Sequence, residues 1–176
     1  MKETARFRTG AVTANGRIVT IFVSYAHQNR VWMERLRPLL IGMQNDDRGR
    51  KLAGLDGVSA WHDTELEAGG RWDQQIKDAM ERMTIFVPLV SHDFFASWYI
   101  QNVEMPRARQ RHENGDIHVV PILLEDVNLR EKCEFLSQFS TLPESGRWWR
   151  SYRAYGDANR PIDDGLWAAV EKVLGG

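Results

Sequence analysis

Apolar positions along the chain fall into two alternating rhythms. Ile18–Val23 is a short β-branched and aromatic run, the pattern of a buried strand. After the polar turn Ser24–Asn29, Trp32, Leu36, Leu39, Leu40 and Met43 recur at helical spacing. Asn29 is placed to cap that helix, and Pro38 predicts a kink or an interruption within it. Gln44–Gly57 reads as a surface loop and Val58–His62 as a second, shorter strand. The acidic stretch Asp63–Gly70 ends in paired glycines and reads as an exposed loop. Trp72, Ile76, Ala79, Met80 and Met83 mark an amphipathic helix. Thr84–Val90 is a third buried strand despite Pro88. Ser91–Ala96 turns the chain into a helix over about Ser97–Arg111, and His118–Leu124 is a fourth strand. Glu131–Phe139 predicts a short helix. Asp163 or Asp164 is placed to cap a last helix carrying Leu166, Val170, Val173 and Leu174; Leu142–Arg160 follows neither rhythm.

Strands alternating with amphipathic helices predict an α/β domain, a parallel sheet with helices on both faces. The first sixteen residues, Met1–Gly16, read as a flexible leader, and 17–176 as the domain. Ligands of such sheets bind beyond the carboxyl ends of the strands. The loops to search are therefore Ser24–Arg30, His62–Arg71, Ser91–Ser97 and Glu125–Arg130.

Composition narrows the chemistry. The 176 residues are 43% hydrophobic, enough for one core, and the net charge is −1. No basic excess points to direct nucleic-acid binding. The single cysteine, Cys133, forms no internal disulfide and fits a reducing cytoplasm. There is no apolar stretch of signal-peptide or membrane-span length, so no membrane role is expected. The five histidines, His27, His62, His92, His112 and His118, lack metal-ligand spacing, and no metal is expected. Neither GxGxxG nor a P-loop is present, so no dinucleotide is expected as a resident cofactor.

The candidate loops carry a resemblance. Phe22-Val23-Ser24-Tyr25-Ala26-His27, then Trp61-His62-Asp63 with Leu66-Glu67-Ala68-Gly69 and Trp72, resemble the first two strands and following loops of bacterial Toll/interleukin-1 receptor (TIR) domains. Leu89-Val90-Ser91, Asp93-Phe94, Ser97, Tyr99, Val103-Glu104 and Pro106-Arg107-Ala108 resemble the third strand and the helix with the family's catalytic glutamate. Val120-Pro121-Ile122 resembles the fourth strand. Together they cover roughly Ile18–Leu174. The resemblance implies a flavodoxin-like parallel sheet of about five strands. It also implies an NAD+ nucleosidase, either a glycohydrolase or an ADP-ribosyl cyclase, that acts in the cytoplasm as an effector of antiphage immunity. NAD+ would then be substrate, with no cofactor. The implied partners are other copies through TIR–TIR contacts, with a sensor domain or protein in the same system.

Glu104 is the candidate catalytic residue. A carboxylate beside ribose stabilises the positive charge that develops as the neutral nicotinamide departs. Helical spacing puts Ser97, Gln101 and Ala108 on its stripe, where Ser97 and Gln101 are placed to hold sugar or phosphate. The competing reading is a solvated helix acid paired with Arg107 or Arg111. Several NAD-cleaving relatives carry Trp four residues before the glutamate; here that position is Ile100, leaving Tyr99 or Tyr25 to stack on a ring. His27 is a candidate for ribose or phosphate, Arg30 for the pyrophosphate, and Asp63 and Glu67 for the site and for contacts between domains. Trp61 and Trp72 read as core anchors. Pro106, two residues after Glu104, should bend the helix or free the Asn102 carbonyl.

Two other functions fit less of the pattern. A non-catalytic TIR adaptor would depend on Asp63–Gly70 and not on Glu104. A nucleoside 2-deoxyribosyltransferase-like enzyme shares a glutamate near ribose, but Trp61–Gly69 does not resemble one.

Overall fold

The computed structural model describes residues 17–46, 55–62, 72–144 and 146–175. The expected leader lies outside them, as do Asp63 and Glu67. Strand β1 (Arg17–Ser24) leads through a 3₁₀ turn at His27–Asn29 into helix α1 (Arg30–Asn45). Strand β2 (Leu55–Trp61) follows, then α2 (Trp72–Arg82), β3 (Ile85–Val90) and the short α3 (His92–Ala96). A π-helical turn at Ile100–Glu104 runs into α4 (Met105–Glu113). Then come β4 (His118–Val119), β5 (Ile122–Leu123), α5 (Leu129–Lys132), α6 (Glu134–Ser137) and α7 (Asn159–Gly175).

All five strands pair in parallel, in the order β2-β1-β3-β4, with β5 also on β3. This is the expected flavodoxin-like sheet, and β1 shows why helices cover both of its faces. Its residues alternate sides. Val19, Ile21 and Val23 enter one core with Trp32, Leu36 and Leu40 of α1 and Ile162, Leu166 and Val170 of α7. Phe22 enters the other with Ile76 and Met80 of α2 and Met105 and Ala108 of α4.

The structure revises several boundaries. Pro38 does not interrupt α1. Its side chain faces solvent, where water can serve the carbonyl that Pro38 leaves without an N–H donor. Asn29 does not cap α1. It is buried and its amide is spent on the β3–α3 junction: it accepts from the Ser91 hydroxyl at 2.5 Å and donates to Asp93 at 3.3 Å. β2 begins three residues earlier than expected, because register with β1 extends back to Leu55. α7 begins at Asn159, so Asp163 and Asp164 lie inside it and cap nothing. It runs on through Gly165, where a side chain would strike Leu142: a Cβ there would sit 2.4 Å from Leu142 Cδ2.

The expected fourth strand is split into β4 and β5. Both pieces keep the same offset against β3, which puts Pro121 opposite Pro88. Neither proline can donate to the ladder, so pairing lapses there and resumes. Beyond β5 the sheet is prolonged by a single parallel bridge between Ile122 and Leu142, with the Leu142 N–H on the Pro121 carbonyl at 2.8 Å. The segment without rhythm therefore serves as sheet edge and as core. Trp149, on a 3₁₀ turn at Trp149–Ser151, is fully buried, packs at 5.3 Å on Trp32, and donates its indole N–H to the Tyr155 carbonyl at 3.0 Å.

Candidate active site

A cleft of about 180 Å³ opens at the carboxyl edge of β1 and β2, beside the point where strand order reverses. Ser24 and Tyr25 enter it from the end of β1, Trp61 from the end of β2, Trp72 and Ile76 from α2, and Ser97, Tyr99, Ile100 and Glu104 from the chain around the π turn. His27 stands at its exposed rim. Two aromatic pairs shape the walls. Trp61 stacks on Phe22 with ring centroids 4.8 Å apart and planes at 14°, and Trp72 meets Tyr99 at 4.9 Å.

Glu104 is 7% exposed and accepts a hydrogen bond from the buried Ser24 hydroxyl. A buried carboxylate with a charge-assisted donor is held in one orientation. The alternative of a solvated helix acid fails on its partners. The Arg107 guanidinium goes to Glu81 at 2.5 and 2.8 Å. Arg111 caps the end of α2 through the Met80 and Glu81 carbonyls and faces Asp116.

The π turn decides which neighbours Glu104 has. The Met105 N–H reaches back five residues to the Ile100 carbonyl, and Pro106 then starts α4, where its missing N–H is tolerated. Asn102 turns its side-chain amide onto the Trp98 carbonyl at 2.7 Å. An α-helical stripe would align Gln101 with Glu104, and the sequence reading assumed one. The wider turn removes Gln101 from the cleft: its amide donates to the Phe94 carbonyl at 3.2 Å. The same extra residue brings Tyr99, five before Glu104, within one turn of it. Tyr99 thus takes the aromatic place that four-residue spacing assigned to Ile100, and Ile100 packs beneath it, buried.

Of the other residues singled out from sequence, Ser97, Tyr25 and His27 line the cleft and Arg30 does not. Arg30 opens α1 and faces Glu34 at 3.9 Å in solvent. Among the described residues, no Lys or Arg lines the cleft. Trp72 is a rim residue, not a core anchor: it is 52% exposed. Its helical phase marks the inward side of α2, but the helix begins there, at the mouth of the cleft.

Sequence reasoning missed Ser24 as a cleft residue and Asp73 as the partner of one. Ser24 carries a signal in retrospect, a hydroxyl closing a buried strand at its carboxyl end. Asp73 carries none, since a first-turn acid four residues before Lys77 reads as helix stabilisation. In the fold it accepts from the Tyr99 phenol at 2.8 Å as well as from Lys77 at 2.8 Å. Burial pushes the Tyr99 phenol well above the usual range, and the Asp73 hydrogen bond and the charges of Asp73 and Glu104 push it the same way. The Lys77 and Tyr99 donors hold the Asp73 carboxyl below its ordinary value.

At the neighbouring strand ends, Glu125 accepts from the His92 backbone N–H at 2.6 Å and from Arg150 at 2.5 Å, and its carboxylate meets the His92 ring at 2.9 Å. Burial alone would raise its pKa, but the His92 bonds and the Arg150 charge outweigh it and lower the value. A lowered folded-state pKa contributes stability at neutral pH that is lost as pH falls through it. Glu125→Gln should therefore cost about 1 kcal/mol at pH 7, and the gap from wild type should narrow as pH falls below the ordinary glutamate value of about 4.3 and on through the lowered folded value. Urea titrations at several pH values check this; a gap that persists in acid would refute the linkage.

A parallel α/β sheet with helices on both faces, and a buried carboxylate in a cleft beside its strand-order reversal, is a doubly wound domain by architecture. Family comparison makes that specific: the sequence model described as TIR domain matches residues 21–159, and the chain belongs to the TIR domain family. A relative, "Uncharacterized protein y4lF" of Sinorhizobium fredii (strain NBRC 101917 / NGR234), is 33% identical over 105 residues, which are 60% of this chain and 30% of that protein. The chain thus aligns with under a third of that relative's length.

Proposed function

We propose that this TIR domain is an NAD+ nucleosidase, active when copies assemble, that serves as an effector of bacterial antiphage defence. The observation that carries the reading is Glu104, a buried carboxylate oriented by Ser24 on the floor of an aromatic-walled cleft. At about 180 Å³ the cleft is below the roughly 300–1,000 Å³ usual for whole ligands, which suits the nicotinamide–ribose end of a dinucleotide.

The bond between ribose C1′ and the pyridinium nitrogen breaks with its electron pair going to nitrogen. Nicotinamide leaves neutral and needs no general acid. Positive charge builds on C1′ and the ring oxygen, and the Glu104 carboxylate opposes it in a site partly closed to water. Water then adds to C1′ and releases a proton, giving ADP-ribose. In cyclisation a nucleophilic nitrogen or hydroxyl of the substrate's own adenosine takes the place of water.

Chromatography of NAD+ incubated with the concentrated chain, with and without a crowding agent, tests the proposal. Nicotinamide is the expected product, alongside ADP-ribose or a cyclic isomer. Its absence under every assembly condition would leave the adaptor reading. Loss of the Ser24 donor should also slow turnover, since hydrogen bonds to charged groups contribute roughly 1.5–3 kcal/mol. Ser24→Ala is expected to lower kcat by about ten- to a hundredfold, while Ser24→Thr retains most of it.

A further inference from the structure

We propose that Asp73 is a positioning residue, tethering the Tyr99 ring as the wall on which the substrate's nicotinamide–ribose end rests; this builds on the NAD+ reading above. Tyr99 lines the cleft one π turn before Glu104, and its phenol donates to Asp73 Oδ1 at 2.8 Å. Trp72, next to Asp73 in the chain, packs on the same ring at 4.9 Å. The ring is therefore fixed at its tip and along its flank by the first two residues of α2. A ring without that tether keeps only its packing, and more of the ordering of the wall would then fall to the substrate.

A purely structural role for Asp73 makes different predictions. As a first-turn acid facing Lys77 at 2.8 Å, it would support α2 through the helix dipole and the ion pair. Lys77→Ala would then imitate Asp73→Ala. Under the proposal it does not, because the tether to Tyr99 survives. Asp73→Asn separates the two roles again: it keeps an acceptor for the phenol and gives up the charge.

Steady-state kinetics of NAD+ cleavage by the concentrated full chain decide the matter. Ring placement acts on bound substrate and transition state alike, so it reads out in KM. Asp73→Ala and Tyr99→Phe should each raise KM about three- to tenfold with kcat within about twofold, and the double variant should add nothing to either, as for one shared interaction. Asp73→Asn and Lys77→Ala should stay near wild type. Additive effects, an unchanged KM, or a Lys77→Ala variant that behaves like Asp73→Ala would overturn the positioning role while leaving NAD+ cleavage intact. A wild-type chain that releases no nicotinamide would overturn both, and is seen before any variant is made.

Discussion

Glu104→Gln is expected to reduce nicotinamide release on the order of 10²–10³-fold without destabilising the domain. The substitution keeps shape and an oxygen for the Ser24 hydroxyl to meet, and replaces a charged carboxylate with a neutral amide. Lost electrostatic stabilisation of a developing charge typically has this size. Stability should hold or rise, because a carboxylate at 7% exposure carries a desolvation cost that a neutral amide lacks. The pairing of the two results is the test. Activity lost together with the folded state would say only that the variant unfolds. Release that survives in a folded Glu104→Gln protein would remove Glu104 from the chemistry.

The second large effect concerns stability. Trp149→Ala should cost about 3–5 kcal/mol, the usual range for emptying a buried aromatic site. Trp149 has no exposed surface, its ring lies 5.3 Å from Trp32, and its indole N–H satisfies the Tyr155 carbonyl. The alanine variant opens a cavity and removes that hydrogen bond; Trp149→Phe fills most of the volume and should recover part of the loss. Denaturant midpoints measure both. A cost under about 1 kcal/mol would mean the segment around Trp149 is an appendage, and that the core closes without it.

These predictions rest on parts of the molecule that were unequally legible. β1, α2 and β3 follow from local pattern because each buries one face or both, and burial imposes a period. Glu104 and the loop beginning at Ser24 stood out through residues that resemble TIR domains, and the match over residues 21–159 places the chain in that family. Gln101 was misplaced because spacing arguments assume an α-helix, and one added residue in a turn changes every angle after it. Arg30 was misplaced because proximity in sequence to Tyr25 and His27 does not fix direction, and its helix carries it into solvent beside Glu34.

By itself, the sequence determined the alternation of strands and helices, the sidedness of the core and the family, and it singled out the Glu104 carboxylate that lies in the cleft. These are properties of single segments, set by local propensity and by which positions avoid water. The tertiary structure alone decided the rest. It broke the fourth strand where two prolines meet across a ladder, and it made a wall of the core from a stretch with no rhythm of its own. It also joined Ser24 to Glu104 and Asp73 to Tyr99, pairs 80 and 26 residues apart. Such pairings depend on the register of one element against another, which no single segment encodes.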